Sequence, residues 1–360
     1  GLIEEVASNV PRLDYSDGTC PSFLLEPSAT NILTYSEGFL TDWNNTNITV
    51  NQNSTISPDG ALNGTKFIPT ITSGGHYLDR NGVTVNSNAS ASIFAKKGEY
   101  KRLAIRSYVT GAYAIFDVNL GTIIAEVNVT AKIEQLQNGW YKCSLNETLN
   151  ASYGYSVFVL EDASTNPLDT YVGNGADGMY FYGAQLETNS YATSYIKTVA
   201  TTQTRVADTA SKTSVTNLIG QSEGVLFVDF IPKDTATQII HQVRTSGATN
   251  VGQIDIRLTG GTINTLGNDG GSAQFDITGT SFNLGQRYKC AIRYKENDVA
   301  FYINGVLIGT DVVASFNSSS KDQVSFGDNI TSLVARAGIK DARVYTTALS
   351  DAELTSLTTI

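Results

Sequence analysis

The sequence predicts an all-β protein of two β-sandwich domains, and three observations carry that expectation. The 360 residues are too many for one ordinary core, which favours two. With 32 glycines, 18 tyrosines and a single methionine, the composition suits strands joined by polar turns. Short segments alternating apolar and polar residues recur along the chain, as half-buried strands do.

Residues 1–40 read as an extended segment, because Pro11, Asp17-Gly18, Cys20-Pro21 and Glu26-Pro27 interrupt every apolar patch. A first domain spans 41–197. Its clearest strands are Lys66–Ile71, Ala91–Ala95, Lys101–Tyr108, Tyr113–Asn119, Glu126–Ile133, Gly139–Leu145, Tyr155–Leu160 and Met179–Leu186. Residues 198–220 are poor in apolar side chains and form the linker, or a strand bridging the modules. A second domain covers 221–360, with strands at Val225–Ile231, Gln238–Arg244, Gln253–Leu258, Gly271–Ile277, Tyr288–Tyr294, Val299–Ile303, Val306–Thr310 and Gln323–Gly327. Asn304-Gly305 between two alternating runs is a strong hairpin signal. After a strand at Ala337–Val344, Ser350 with Glu353 three residues later predicts a capped helix.

Bulk chemistry excludes several classes. A net charge of −10 and the absence of a basic cluster argue against nucleic acid. No run approaches the length of a membrane span, so membrane insertion is not expected. The N-terminal residues lack the basic and apolar regions of a secretory signal, and the chain reads as a piece of something longer. Cys20, Cys143 and Cys290 lie far apart in odd number, neither a disulfide framework nor a zinc site. Cys143 and Cys290 are expected as buried small hydrophobes.

Two resemblances refine this. The order of the Asp298–Thr310 hairpin, Ser325-Phe326-Gly327-Asp328, the Ala337–Val344 strand and the Tyr345–Leu357 tail resembles the laminin-G/concanavalin A-like lectin and glucanase superfamily. Upstream come Cys20-Pro-Ser-Phe-Leu-Leu-Glu-Pro27, Thr30–Glu37, Trp43, Ser57-Pro-Asp-Gly60, Asn138-Gly-Trp-Tyr141, Tyr180–Glu187 and Thr193–Ile196. That string resembles a module of bacteriophage fibre and appendage proteins (the Bacteroidetes-phage type), and also the galactose-binding-like jelly rolls of carbohydrate-binding modules. The resemblances imply a jelly roll followed by a concanavalin A-like/laminin-G sandwich, on a virion surface in an extracellular setting. Expected partners are host cell-surface polysaccharide and other virion proteins, in a homotrimer, with an attachment region upstream of Gly1.

Catalysis finds little support in the residues. The Glu-x-Asp-x-x-Glu spacing of the glucanases does not occur, and Asp229, Asp255 and Asp276 are single acids on separate strands. The chain has two histidines and no Gly-x-Ser-x-Gly elbow. His241 reads as a sheet residue, whereas His76 after Ser73-Gly-Gly can reach a ligand from a loop. The resemblance implies one structural calcium, for which Asp328, Asn329 and Asp341 are the candidates.

Sugar binding needs exposed aromatic rings with amide and carboxylate partners. Trp43, His76, Tyr77, Tyr108, Tyr113, Tyr153 and Tyr155 are the candidate ligand-binding residues, while Trp140, Tyr141, Phe181 and Tyr294 read as core. The expected function is non-enzymatic adhesion to host glycans by a virion structural protein. The alternatives are targeting modules of a depolymerase or lyase with an upstream catalytic part, and a purely structural decoration.

Overall fold

A computed structural model describes residues 2–15, 20–328 and 333–360, apart from the side chains at 86–87 and 149–153. The chain forms two compact units: one holds Gly1–Glu5 and Ser28–Val206, the other Val6–Pro27 and Ala207–Ile360. The first forty residues are therefore not an extended segment of their own. Ser22–Leu25 pairs with Ala337–Tyr345 in the second unit, and Ala29–Asn31 pairs with Gln203–Arg205 in the first. The expected linker likewise carries short strands, with Ala210–Lys212 on Gln323–Phe326.

The first unit is organised by two very long antiparallel partners, Tyr77–Lys96 (20 residues) and Trp140–Leu160 (21 residues). Each serves two layers. The second half of the former and the first half of the latter join Met179–Glu187, Leu62–Pro69, Ile48–Ile56 and Thr130–Gln135. Their other halves join Asn44–Thr46, Arg102–Ser107, Tyr113–Asp117 and Thr122–Val127. Phe67, Ile93, Leu145 and Phe181 from one layer meet Leu78, Ile105, Phe116 and Val157 from the other in a single core. Where the sequence suggested separate short strands, turn-like residues sit inside long ones. A bulge sets Asn81 and Gly82 (φ +77°) against the lone Gly154. The expected strand Glu126–Ile133 is instead two, because Asn128 turns the chain in the left-handed region (φ +57°).

The second unit packs a seven-stranded sheet on a six-stranded one. In the first of these, Ala337–Tyr345, Glu223–Pro232, Tyr288–Lys295, Val299–Ile303 and Val306–Asp311 follow in order. The second runs Gln323–Phe326, Gln238–Arg244, Gln253–Thr259, Thr262–Asp269 and Ser272–Ser281. Thr262–Asp269 was not anticipated. Leu226, Phe230, Ile254, Ile256, Ile292 and Phe301 fill the space between the sheets, as the alternation of their strands requires. The hairpin forms at Asn304 and Gly305, both in the left-handed region (φ +50° and +81°), with Ile303 opposite Val306.

Ser350 caps the helix Asp351–Thr358 through a reciprocal capping box with Glu353. The buried Leu354 of that helix lies against Val225, Phe227, Ala291 and Tyr302 on the seven-stranded sheet. Burying a side chain of this size contributes about 2 kcal/mol. Cys143 and Cys290 are buried and free, and Cys20 is exposed. Among the described residues no helix is long and apolar enough to cross a membrane.

Candidate functional site

Strand parity decides which aromatic side chains leave the main core. In the first unit Leu78, Ile105, Ala114 and Val157 point into the core. The neighbouring residues therefore form the opposite face, in rows fixed by register. One row runs Asn44, Asp79, Ser156, Arg106, Tyr113. The next runs Tyr77, Phe158, Ala104, Ile115. Tyr108 follows the Arg102–Ser107 strand, two residues past Arg106, and its amide donates to the Gly154 carbonyl at 2.9 Å. Gly154 permits the close approach here: a Cβ would stand 2.6 Å from Asn81 Oδ1 and 2.7 Å from Tyr108 Cβ.

Three of the expected residues thus share a face. Tyr108 is 65% exposed and lies under the Arg106 guanidinium, 5.9 Å from ring centre to Cζ. Tyr113 is half-buried directly opposite Arg106 on the next strand. Half-buried Tyr77 packs against Phe158, their ring centres 4.6 Å apart. Around them stand polar groups that the sequence did not single out. The buried Asp79 carboxylate accepts from Asn44 Nδ2 at 3.3 Å and from Asn81 Nδ2. The only sequence signal for Arg106 was its i, i+2 spacing to Tyr108, which places both on one side of a strand.

Three others belong to the interior. Trp43 is 7% exposed, edge-on to Tyr155 and tilted on Phe39. Tyr155 is fully buried and donates to the Ser92 carbonyl at 2.9 Å. His76 lies in contact with Tyr171, its ring nitrogens 2.7 and 3.1 Å from the Asn47 and Tyr171 carbonyls. These side chains cannot stack on a sugar, because their faces are already covered by protein. Tyr153 lies on the Trp140–Leu160 strand, with its side chain outside the described residues.

The second unit presents a polar sheet face. Ile254, Ile256 and Leu258 point inward, so Asp255 and Arg257 point the other way. Asp255 accepts from Arg257 Nε and Gln253 Nε2, both at 2.7 Å. Burial pushes the Asp255 carboxyl up, and the Arg257 guanidinium opposes that rise. Asp276 shares its row with Leu266 between them, placing the two acids roughly 10 Å apart at the backbone. Asp255 is already engaged by Arg257, which occupies the carboxylate that a glycoside-hydrolase pair would need.

The calcium candidates are engaged too: Arg244 Nη1 donates to Asp328 Oδ1 at 2.7 Å, and Arg343 pairs with Asp341 at 2.6 Å. Asn329 lies outside the described residues. Among those described, no three His, Cys, Asp or Glu side chains are grouped to hold a metal.

Residues 226–355 match the profile of the family described as the concanavalin A-like lectin/glucanases superfamily. Solved structures of related architecture are distant. Domains LG4-5 of the mouse laminin α1 chain are 9% identical, over 78% of this chain and 90% of that one, with a TM-score of 0.28. The CBM40 of the Ruminococcus gnavus IT-sialidase, bound to α2,3-sialyllactose, is 20% identical over 39% and 84% respectively, with a TM-score of 0.34. The Limulus polyphemus SAP-like pentraxin is 18% identical over 38% and 70%, at 0.32. None of the curated proteins matches the sequence. The class defined is an all-β protein of sandwich sheets with a concanavalin A-like second part.

Proposed function

We propose that the chain is a non-enzymatic glycan-binding protein whose first unit holds saccharide on the Tyr108 face. One observation carries the reading: the exposed Tyr108 ring lies under the half-buried Arg106 guanidinium, with half-buried Tyr113 opposite Arg106 and exposed Asn81 beside Gly154. The ring covers an apolar sugar face, and the amides and charges around it hydrogen-bond hydroxyl groups. The sequence likeness of this unit to phage fibre and appendage modules supports a finer setting, display on a virion that adheres to host surface polysaccharide. Trimeric display would raise weak single-site affinity by orders of magnitude without any new contact.

The test is a glycan array of the chain beside Tyr108→Ala. Saturable binding to host polysaccharide that the substitution abolishes supports adhesion, and silence across the array favours decoration. A second reading, a targeting module of a depolymerase, is favoured by the family profile, whose description includes glucanases. Release of reducing ends from host polysaccharide by this chain alone would overturn the non-enzymatic reading.

A further inference from the structure

Among the described residues, nine arginines of this acidic chain pair with carboxylates, and Arg106 does not. Arg244 pairs with Asp328, Arg257 with Asp255, Arg287 with Asp229, and Arg293 with both Asp298 and Asp351. The Arg106 guanidinium makes no hydrogen bond or ion pair among the described residues and lies over the Tyr108 ring. The acid of its own row, Asp79, lies two strands away across Ser156, roughly 10 Å at the backbone, and accepts from two asparagines. In a chain with 34 acidic and 24 basic side chains, a half-buried guanidinium over Tyr108, on a residue whose register partner is Tyr113, offers an unused set of donors.

The geometry points to a carboxylate-bearing saccharide, of the uronic or nonulosonic acid class, as the ligand of this face. This rests on the Tyr108 face being the saccharide site, and it names the sugar that the site selects. A guanidinium presents its N–H donors in a planar fork matched to the two oxygens of a carboxylate. The adjoining tyrosine rings would take the pyranose face next to that group. A neutral sugar engages the rings and leaves the fork without its anionic partner. An ammonium in place of the guanidinium keeps the charge and loses the bidentate geometry.

Calorimetric titration of the chain with trigalacturonate and, separately, with galactotriose tests the assignment. The expected result is at least tenfold tighter binding of trigalacturonate, weakened by raising salt from 50 to 500 mM. Arg106→Gln removes that preference, Arg106→Lys restores only part of it, and both leave the thermal midpoint within about 2 °C, since the guanidinium makes no hydrogen bond or ion pair among the described residues. Equal binding of both sugars, lost in Tyr108→Ala and unaffected by Arg106→Gln, would overturn the acidic-sugar inference and leave the glycan-binding reading standing. Binding of neither trisaccharide would overturn this inference as well. The array of host polysaccharides then decides the broader reading on its own.

Discussion

Arg106 and Tyr113 face each other directly across adjacent strands of the first unit, on the side turned away from its core. Arg106 also lies over the exposed Tyr108 ring, so one arginine is joined by register to one tyrosine and by ring contact to another. Register produces this grouping, and it separates side chains of this face from those that fill the core.

The first prediction contrasts two aromatic side chains. Tyr108→Ala removes a 65% exposed ring and should leave the thermal midpoint within about 2 °C of the parent. Trp43→Ala empties a site among Phe39 and Tyr155 and should cost about 3–5 kcal/mol. Denaturant unfolding of both variants checks the contrast. Equal destabilisation would contradict the assignment of faces.

A second prediction concerns acid. Burial depresses His241 to about 4, against the opposing effect of the Ser325 carbonyl that its Nδ1 faces at 3.2 Å. Its Nε2 has no hydrogen-bond partner among the described residues. The unfolded chain protonates near 6.5, before the folded one does, so stability is complete above that pH and falls as pH drops toward 4. The loss attributable to His241 is about 3 kcal/mol across that window. His241→Phe should flatten this part of the stability–pH curve, measured by urea unfolding from pH 7.5 to 4.

The buried pair Arg244–Asp328 gives a third. Both side chains are almost fully covered, at 2% and 3% exposure. Removing the guanidinium strips the buried carboxylate of this ion pair, so Arg244→Met should cost about 3–5 kcal/mol. The double variant Arg244→Met/Asp328→Leu should recover most of that. A double-mutant cycle reads the coupling directly.

The fourth lies in the hairpin. Gly305 sits at φ +81°, and a Cβ there would stand 3.0 Å from Thr359 Oγ1. Gly305→Ala should cost about 1–2 kcal/mol, read as a lowered thermal midpoint of the second unit. Asn304→Gly, which suits the same left-handed position, should cost less.

Local chemistry in the sequence was legible, and non-local pairing was not. The Asn304-Gly305 turn and the Ser350–Glu353 capping box depend on a few adjacent residues, and both form as read. The 20- and 21-residue strands were hidden because Asn81-Gly82 and Asn150–Gly154 look like turns, yet they lie within strands that bend and bulge. Thr262–Asp269 was missed between its two glycine turns, since Thr265 and Gly267 interrupt its apolar alternation while pointing the same way as Ile263. Tyr155 and Tyr108 are both tyrosines at strand positions or strand ends. Only the packing of one layer on the other makes the first a core residue and the second a surface platform. Arg106 escaped notice for the same reason, because the lack of an acidic partner is a property of the folded surface.

The central claim is that the Tyr108–Tyr113 face holds saccharide. It is tested most directly by binding of host-derived polysaccharide to the chain, followed in parallel for Tyr108→Ala and Tyr113→Ala. The account predicts saturable binding that each substitution weakens at least tenfold while the thermal midpoint holds. Binding of undiminished strength in both variants would place the site elsewhere and contradict it.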